Sequence, residues 1–302
     1  LLEPPNGPSA GGKSIAYKGN NTLHSAMKTL DELFANDESL PTVPRVVSDL
    51  IEMLRNDEVS FAAVANRIEL DQVLAAKVLQ MINSPLFGLR RKISSIQGAI
   101  LMLGLSAIRS VVVSSGLAGT FRKVEGVSLP AFWAHSLRVA SVSRYLASKT
   151  RHVDPNLAFT AGSMHAIGHL IMAQAMPGRI GELNALHPFE SLGRAQLELV
   201  EFGYHYGDVS ASLARRWGFA PDLVGGLSSF VSPDKSEHAD ALGDVLHLAV
   251  WRVALERQGV DLGKLEGGWP SQSALAAGIT EDVVQEMPAP RELAAELESM
   301  IA

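Results

Sequence analysis

The sequence predicts an all-α fold, and three observations carry that expectation. Apolar residues recur at helical spacing along most of the chain from Leu23 onward. The composition is 47% hydrophobic but only 6% aromatic, with Ala, Leu and Val prominent, which suits closely packed helices better than a β-sandwich. The β-branched run "VVV" at 111–113 lies among helical signals, and no second strand pairs with it.

Taken in order, residues 1–22 are rich in Pro, Gly, Ser and Asn and read as a flexible leader. Leu23, Met27, Leu30 and Leu33/Phe34 then share one helical stripe. After the break "NDESLPTVP", Val46, Val47, Leu50, Ile51 and Leu54 mark a second helix. Ser60 is placed to cap a helix over 61–69, and Asp71 one over 72–83. "NSPLFGLRRK" is a turn-rich connector. Ser94 with Gln97 makes a capping box for a helix that stops at "LGL", and 106–121 reads as a buried helix. "FRKVEGVSLP" (121–130) marks a subdomain boundary, and Pro130 opens a helix over 131–149 with Phe132, His135, Val139 and Val142 near one face. Asp154-Pro155 opens a single helix of about 155–174. Further helices fit 178–186, 191–203, 206–217, 221–230 and 238–257; "GGWPSQS" interrupts the pattern, and Pro290 starts a last helix over 290–301. The expected organisation is a leader (1–22), an N-terminal helical subdomain (23–124), a second helical subdomain (128–258) and a C-terminal extension (259–302).

Composition excludes several kinds of chemistry. The chain has no Cys, which rules out disulfides, Cys-ligated zinc, iron–sulfur clusters and a cysteine nucleophile. The net charge of −6 gives no global field that draws the chain to nucleic acid. "GKS" at 12–14 lacks the upstream glycine and flanking elements of a phosphate loop, and no G-x-S-x-G elbow supports a serine nucleophile. The first residues lack the basic and apolar regions of a signal peptide, and no stretch of about 18 residues is free of charged or strongly polar side chains. A cytoplasmic protein without a membrane span or a cofactor is the expectation.

The candidate chemistry lies in histidines. "SMHAIGHLIMA" (163–173) carries His165 and His169 four residues apart, which on one helix puts both imidazoles on one face. With His135 they could hold a metal ion; the simpler alternative is core histidines bonded to backbone carbonyls. Carboxylates, which a hydrolytic centre needs, are missing: Ala166 follows His165, and the nearest acids, Asp154 and Glu182, read as helix-end or surface residues. His205 and Asp208 read as caps of the helix that begins near Tyr206 rather than as an acid/base pair. Arg90, Arg91 and Lys92 form the one dense basic run, able to meet phosphate, nucleic acid or an acidic partner, with no aromatic platform beside it.

From Leu40 to Glu256 the chain resembles the HDOD domain of bacterial signalling proteins. The resemblance rests on Leu40-Pro41 with Pro44, Asp71 before "LAAKVLQMINS", Ile93 with Ser95-Ile96, Ala99-Ile100 and Leu103-Gly104, then "FWAHSLRVA", "AFTAGSMHAIGHLIM" and "FGYHYGDVSASLARRWGF". It implies an N-terminal helical subdomain packed on a helical bundle like that of the HD phosphohydrolases, whose catalytic members hold metal with His and Asp. Set on that pattern, the chain keeps His135 and His165 but has Ala166 where the Asp of the His–Asp pair belongs. His169 stands where HD-GYP-like sequences carry Lys, and Tyr206 where a later His is common, with His205 adjacent. Phe230-Val231 replace a frequent His pair, and Val250 falls at the final Asp.

The resemblance therefore implies a non-enzymatic signalling module that meets other signalling proteins, with no catalytic residue and no metal. A vestigial pocket of His135, His165, His169, His205 and Tyr206 would remain, with a nucleotide as one conceivable ligand. Two alternatives stay open: a residual metal-dependent phosphohydrolase using His135, His165 and His169, and a nucleotide- or nucleic-acid-binding regulator using Arg90, Arg91 and Lys92.

Overall fold

Local signals in the sequence decide where most helices begin. In a computed structural model, which describes residues 28–34, 45–53, 59–233, 240–260, 262 and 268–300, every regular element is a helix. The expected leader at 1–22, Leu23, Met27, Leu54 and the Leu40-Pro41 and Pro44 positions lie outside the described residues. The N-terminal part comprises α1 (Leu30–Leu33), α2 (Arg45–Met53), α3 (Phe61–Glu69), α4 (Gln72–Ile82), a 3₁₀ turn (Pro85–Phe87) and α5 (Ile96–Ala118). Ser60 caps α3 through the Ala63 N–H, and Asp71 caps α4 through the Val73 and Leu74 N–H groups. Asn83 holds the connector after α4 by exchanging hydrogen bonds with the backbone of Ile93.

Two expectations are corrected here. The cap of α5 is Ser95, whose hydroxyl accepts from the Gly98 N–H at 3.1 Å, so Ser94 and Gln97 form no capping box. The stop expected at "LGL" is a kink: Gly104 takes φ 80° and ψ 169°, and the helix resumes beyond it. The positive φ needs glycine there. Helix α5 is also long and apolar enough to cross a membrane, contrary to the reading from charged residues alone, but half of its most apolar window is buried inside the fold. It packs on α3 and α4, which makes it a core helix of this subdomain.

The bundle that follows comprises α6 (Leu129–Ala147), α7 (Pro155–Met164), α8 (Ile167–Ala175), α9 (Pro177–Leu186), α10 (Arg194–Phe202), α11 (Tyr206–Arg216), α12 (Pro221–Ser229) and α13 (Ala241–Arg257). Ser128 caps α6, and Asp154 caps α7 through Asn156 and Leu157, with Pro155 at the first helical position. Helices α6 and α7 form the most extensive contact, and α13 and α5 flank them, so the two subdomains share one core. Gly162 makes the α6–α7 approach: a Cβ there would fall 2.4 Å from the Ala140 Cα.

The single helix expected over 155–174 is in fact two, broken at His165-Ala166. Ala166 leaves helical geometry at φ −97° and ψ 1°. Ser210 of α11 satisfies the backbone groups freed by the break. Its hydroxyl reaches the His165 carbonyl at 2.8 Å and accepts from the Gly168 N–H at 2.9 Å. A Cβ on Gly168 would lie 2.1 Å from the Tyr206 carbonyl oxygen, so glycine is what lets α8 lie against α11.

The described residues of the expected C-terminal extension pack back on the bundle. Helices α14 (Ser271–Ala277), α15 (Glu281–Gln285) and α16 (Pro290–Glu298) follow, with α14 on α13 and α16 across α6 and the 3₁₀ turn. Arg138 grips Glu298 with two hydrogen bonds, of 2.6 and 2.9 Å.

Candidate functional site

Helices α6, α7, α8 and α11 bring four of the five expected pocket residues together. His135 projects from the middle of α6, His165 ends α7, His169 lies in the first turn of α8 and Tyr206 opens α11. All are buried. The His135 and His165 rings are 5.4 Å apart between centres, and the Tyr206 ring stacks on His169 at 3.9 Å. The break at His165-Ala166 means that His165 and His169 do not share the face of one helix, as the spacing had suggested.

His205, the fifth, has another task. Its Nδ1 accepts from the Asp208 N–H at 3.2 Å, and Asp208 Oδ2 accepts from the His205 N–H at 2.9 Å, closing a capping box on α11. This is the capping arrangement read from the sequence. Arg90, Arg91 and Lys92 are exposed in the connector before α5, and none lines the histidine cavity.

Sequence reasoning missed Phe189 and His247, and it placed Phe230 and Val250 only as replacements in the family pattern. Phe189, in the loop between α9 and α10, sits 5.5 Å from both the His135 and His169 ring centres. Phe230 lies 5.9 Å from His165 and 5.7 Å from Tyr206. His247 of α13 bonds the Phe230 carbonyl through Nδ1 at 2.8 Å and lines the same cavity, of about 50 Å³, as His135, Phe189 and Val250. The i, i+3 spacing of His247 and Val250 was the available signal.

The largest omission is the fully buried pair Arg194 and Glu198 on α10. Arg194 Nε donates to Glu198 Oε1 at 2.7 Å, and its Nη1 donates to Asn184 Oδ1 and the His187 carbonyl. Glu198 Oε2 accepts from the Tyr206 N–H at 2.7 Å. His169 Nδ1 is 3.2 Å from Glu198 Oε1, but the alignment is not that of a hydrogen bond, and neither ring nitrogen of His169 has a partner. The contact is therefore electrostatic.

Burial sets the protonation of these groups. It pushes the His165 imidazole down to about 4 against the help of the Gly162 carbonyl, to which Nδ1 is bonded at 2.7 Å. His135 is held well below the ordinary histidine value by burial and then by His165 and His169. Burial also lowers His169, although Glu198 opposes it. Glu198 is raised by burial, but His169 and Arg194 outweigh that and hold it below the usual carboxylate range. Burial thus disfavours the charged form of all three imidazoles, which lie beside the Arg194–Glu198 ion pair.

The residues do not fit a hydrolytic metal centre. Neutral imidazoles are competent ligands, but Tyr206 and Phe189 cover His169, and Ala166 adds no oxygen. The acids that approach are already paired, Glu198 with Arg194 and Glu190 with Arg257. Among the described residues no three His, Asp or Glu side chains converge on a point where an ion could sit.

Comparison with known proteins agrees with this architecture. Residues 40–229 match the family model of the HDOD domain. A candidate phosphohydrolase from Shewanella amazonensis SB2B superposes with a TM-score of 0.72 at 28% identity, covering 89% of this chain and 98% of that one. An HDOD domain protein of unknown function from Geobacter sulfurreducens gives 0.64 at 25% identity, covering 87% and 90%. A candidate signal transduction protein from Marinobacter aquaeolei VT8 gives 0.68 at 21% identity, covering 91% and 61%, a likeness of fold. An uncharacterized protein from Treponema pallidum (strain Nichols) is 20% identical over 190 residues, 62% of this chain; the chain spans 36% of that curated relative's length.

Proposed function

This chain belongs to the HDOD domain family, and on that premise we propose that it is a non-catalytic module of bacterial signal transduction that works through contacts with other signalling proteins. The observation that carries the reading is the state of the acids. A divalent ion able to deprotonate water needs anionic oxygens, and here Glu198 is paired with Arg194, Glu190 with Arg257, and Asp208 is held at the cap by His205. The position that would carry the missing Asp is a buried alanine at a helix break.

The surface supports a role in contact. Phe61, Leu70, Val73, Leu101 and Met102 are large apolar side chains left exposed on the N-terminal subdomain. Arg90, Arg91 and Lys92 stand exposed just before the helix that carries Leu101 and Met102. An acidic protein surface with apolar anchors is the matching partner.

The test is metal analysis of the purified chain beside a phosphodiesterase assay with Mn²⁺ and a cyclic dinucleotide. Substoichiometric metal and no turnover are expected. Stoichiometric metal with hydrolysis that disappears in His165→Ala would overturn the reading. Steeply salt-dependent binding to nucleic acid, lost in Arg90→Ala/Arg91→Ala, would replace protein contact by the nucleic-acid alternative.

A further inference from the structure

A second cavity lies away from the histidines, and its buried donors have nothing to donate to. Trp133 Nε1 and Ser136 Oγ, three residues apart on α6, make no hydrogen bond. Ser136 is 0% exposed and Trp133 7%. Both line a cavity of about 30 Å³ where α4 and α5 of the N-terminal subdomain meet α6 and α7, beneath α16. Lys77 of α4 lines the same cavity, half-buried, and pairs with no acid among the described residues.

The other hydroxyls in the wall are occupied. Ser114 and Ser163 are 2.7 Å apart, and each also reaches a carbonyl of its own helix, on Ser110 and Phe159. Ser115 donates to Met81 Sδ. What remains unmatched is a buried indole N–H and a buried hydroxyl, with the half-buried Lys77 ammonium beside them. Trp and Lys can only donate, and a hydroxyl can donate as well, so the missing occupant must accept.

Its charge and shape follow from the rest of the wall. One ammonium balances one negative charge, which favours a monoanion over a phosphate dianion. Leu137, Leu297 and Met300 make the remaining surface apolar. Leu297 also lines a neighbouring cleft of about 210 Å³ between the 3₁₀ turn and α16, with Leu86, Pro288 and Leu293 beside Glu292 and Glu296, where the Ser84 hydroxyl is likewise buried without a partner.

We infer that this subdomain-interface cavity binds a compact organic carboxylate. Its oxygens accept from Trp133 Nε1–H, Ser136 Oγ–H and the Lys77 ammonium, and its short apolar tail passes Leu297 toward the cleft under α16. The competing occupant is water, since a cavity of this size admits one or two molecules. Water would satisfy Trp133 and Ser136 equally; a carboxylate would in addition pair with the half-buried Lys77 ammonium. The two cavities share no lining residue, so this inference and the proposed function fail or stand separately.

Calorimetric titration of the full chain with butanoate tests it, with butylammonium and butanol as probes of matched length. Saturable binding of butanoate alone is expected, weakened about tenfold or more in Lys77→Met through loss of a charged hydrogen bond. Lys77 is half-buried at the rim, so this variant keeps the core intact. The indole N–H resonance of Trp133, assigned by its loss in Trp133→Phe, should shift during the titration. Absence of saturable binding at millimolar butanoate, equal binding of butylammonium, an affinity unchanged in Lys77→Met, or a Trp133 resonance that stays in place would each overturn the inference.

Discussion

A fully buried arginine is costly unless its charge is met, and Glu198 meets the charge of Arg194. Glu198→Gln leaves the guanidinium uncompensated, and a loss of about 3–5 kcal/mol is expected, read by urea unfolding. His165 gives a second expectation. Its folded value, about 4, lies below the ordinary histidine value of 6.5. The unfolded chain therefore binds the proton more readily. Stability is complete above pH 6.5 and falls as pH drops toward 4, by at most about 3 kcal/mol from this residue. Unfolding at pH 7 and pH 5 should differ in wild type and differ less in His165→Gln. The two groups were not equally visible in the sequence. The histidines stood out because three of them interrupt apolar helices. Glu198 in "AQLELVEF" looks like any surface acid, because its burial is set by Arg194 and by the approach of Tyr206 from another helix.

At the scale of elements, capping was legible and continuity was not. Ser60, Asp71 and Asp154 announce their helices because a cap is a contact within about three residues. The break between α7 and α8 depends on Ser210, more than forty residues away, so apolar periodicity alone runs the two helices together. Ser210→Ala removes the partner of the Gly168 N–H and the His165 carbonyl. A loss of about 1–3 kcal/mol is expected, with faster amide exchange at Gly168 as the local readout. Gly168→Ala should cost at least as much, since its methyl would meet backbone rather than a yielding side chain. Its effect is checked by the fall in thermal midpoint.

At the scale of the molecule, the two subdomains and the C-terminal helices share one apolar core, so unfolding should be a single transition. The all-α class was legible from helical spacing and the family resemblance from its motifs, but the return of α16 onto α6 was not. That contact joins residues 160 positions apart through Arg138 and Glu298. Removing residues 288–302 uncovers the α6 face and the Leu297 contact. Calorimetry is expected to show a lower midpoint, with the single transition retained.

The Arg194–Glu198 pair also sets an order on sequence change. Glu198 could turn toward a metal only if Arg194 were replaced, and an oxygen at position 166 would need a buried carboxylate accepted before any ion could balance it. Phe189 and Tyr206 would have to withdraw from His169 as well. Each step alone is expected to lower the stability of the fold. On the proposed reading, the buried arginine thus orders the changes, and no single substitution gives the histidines a free carboxylate.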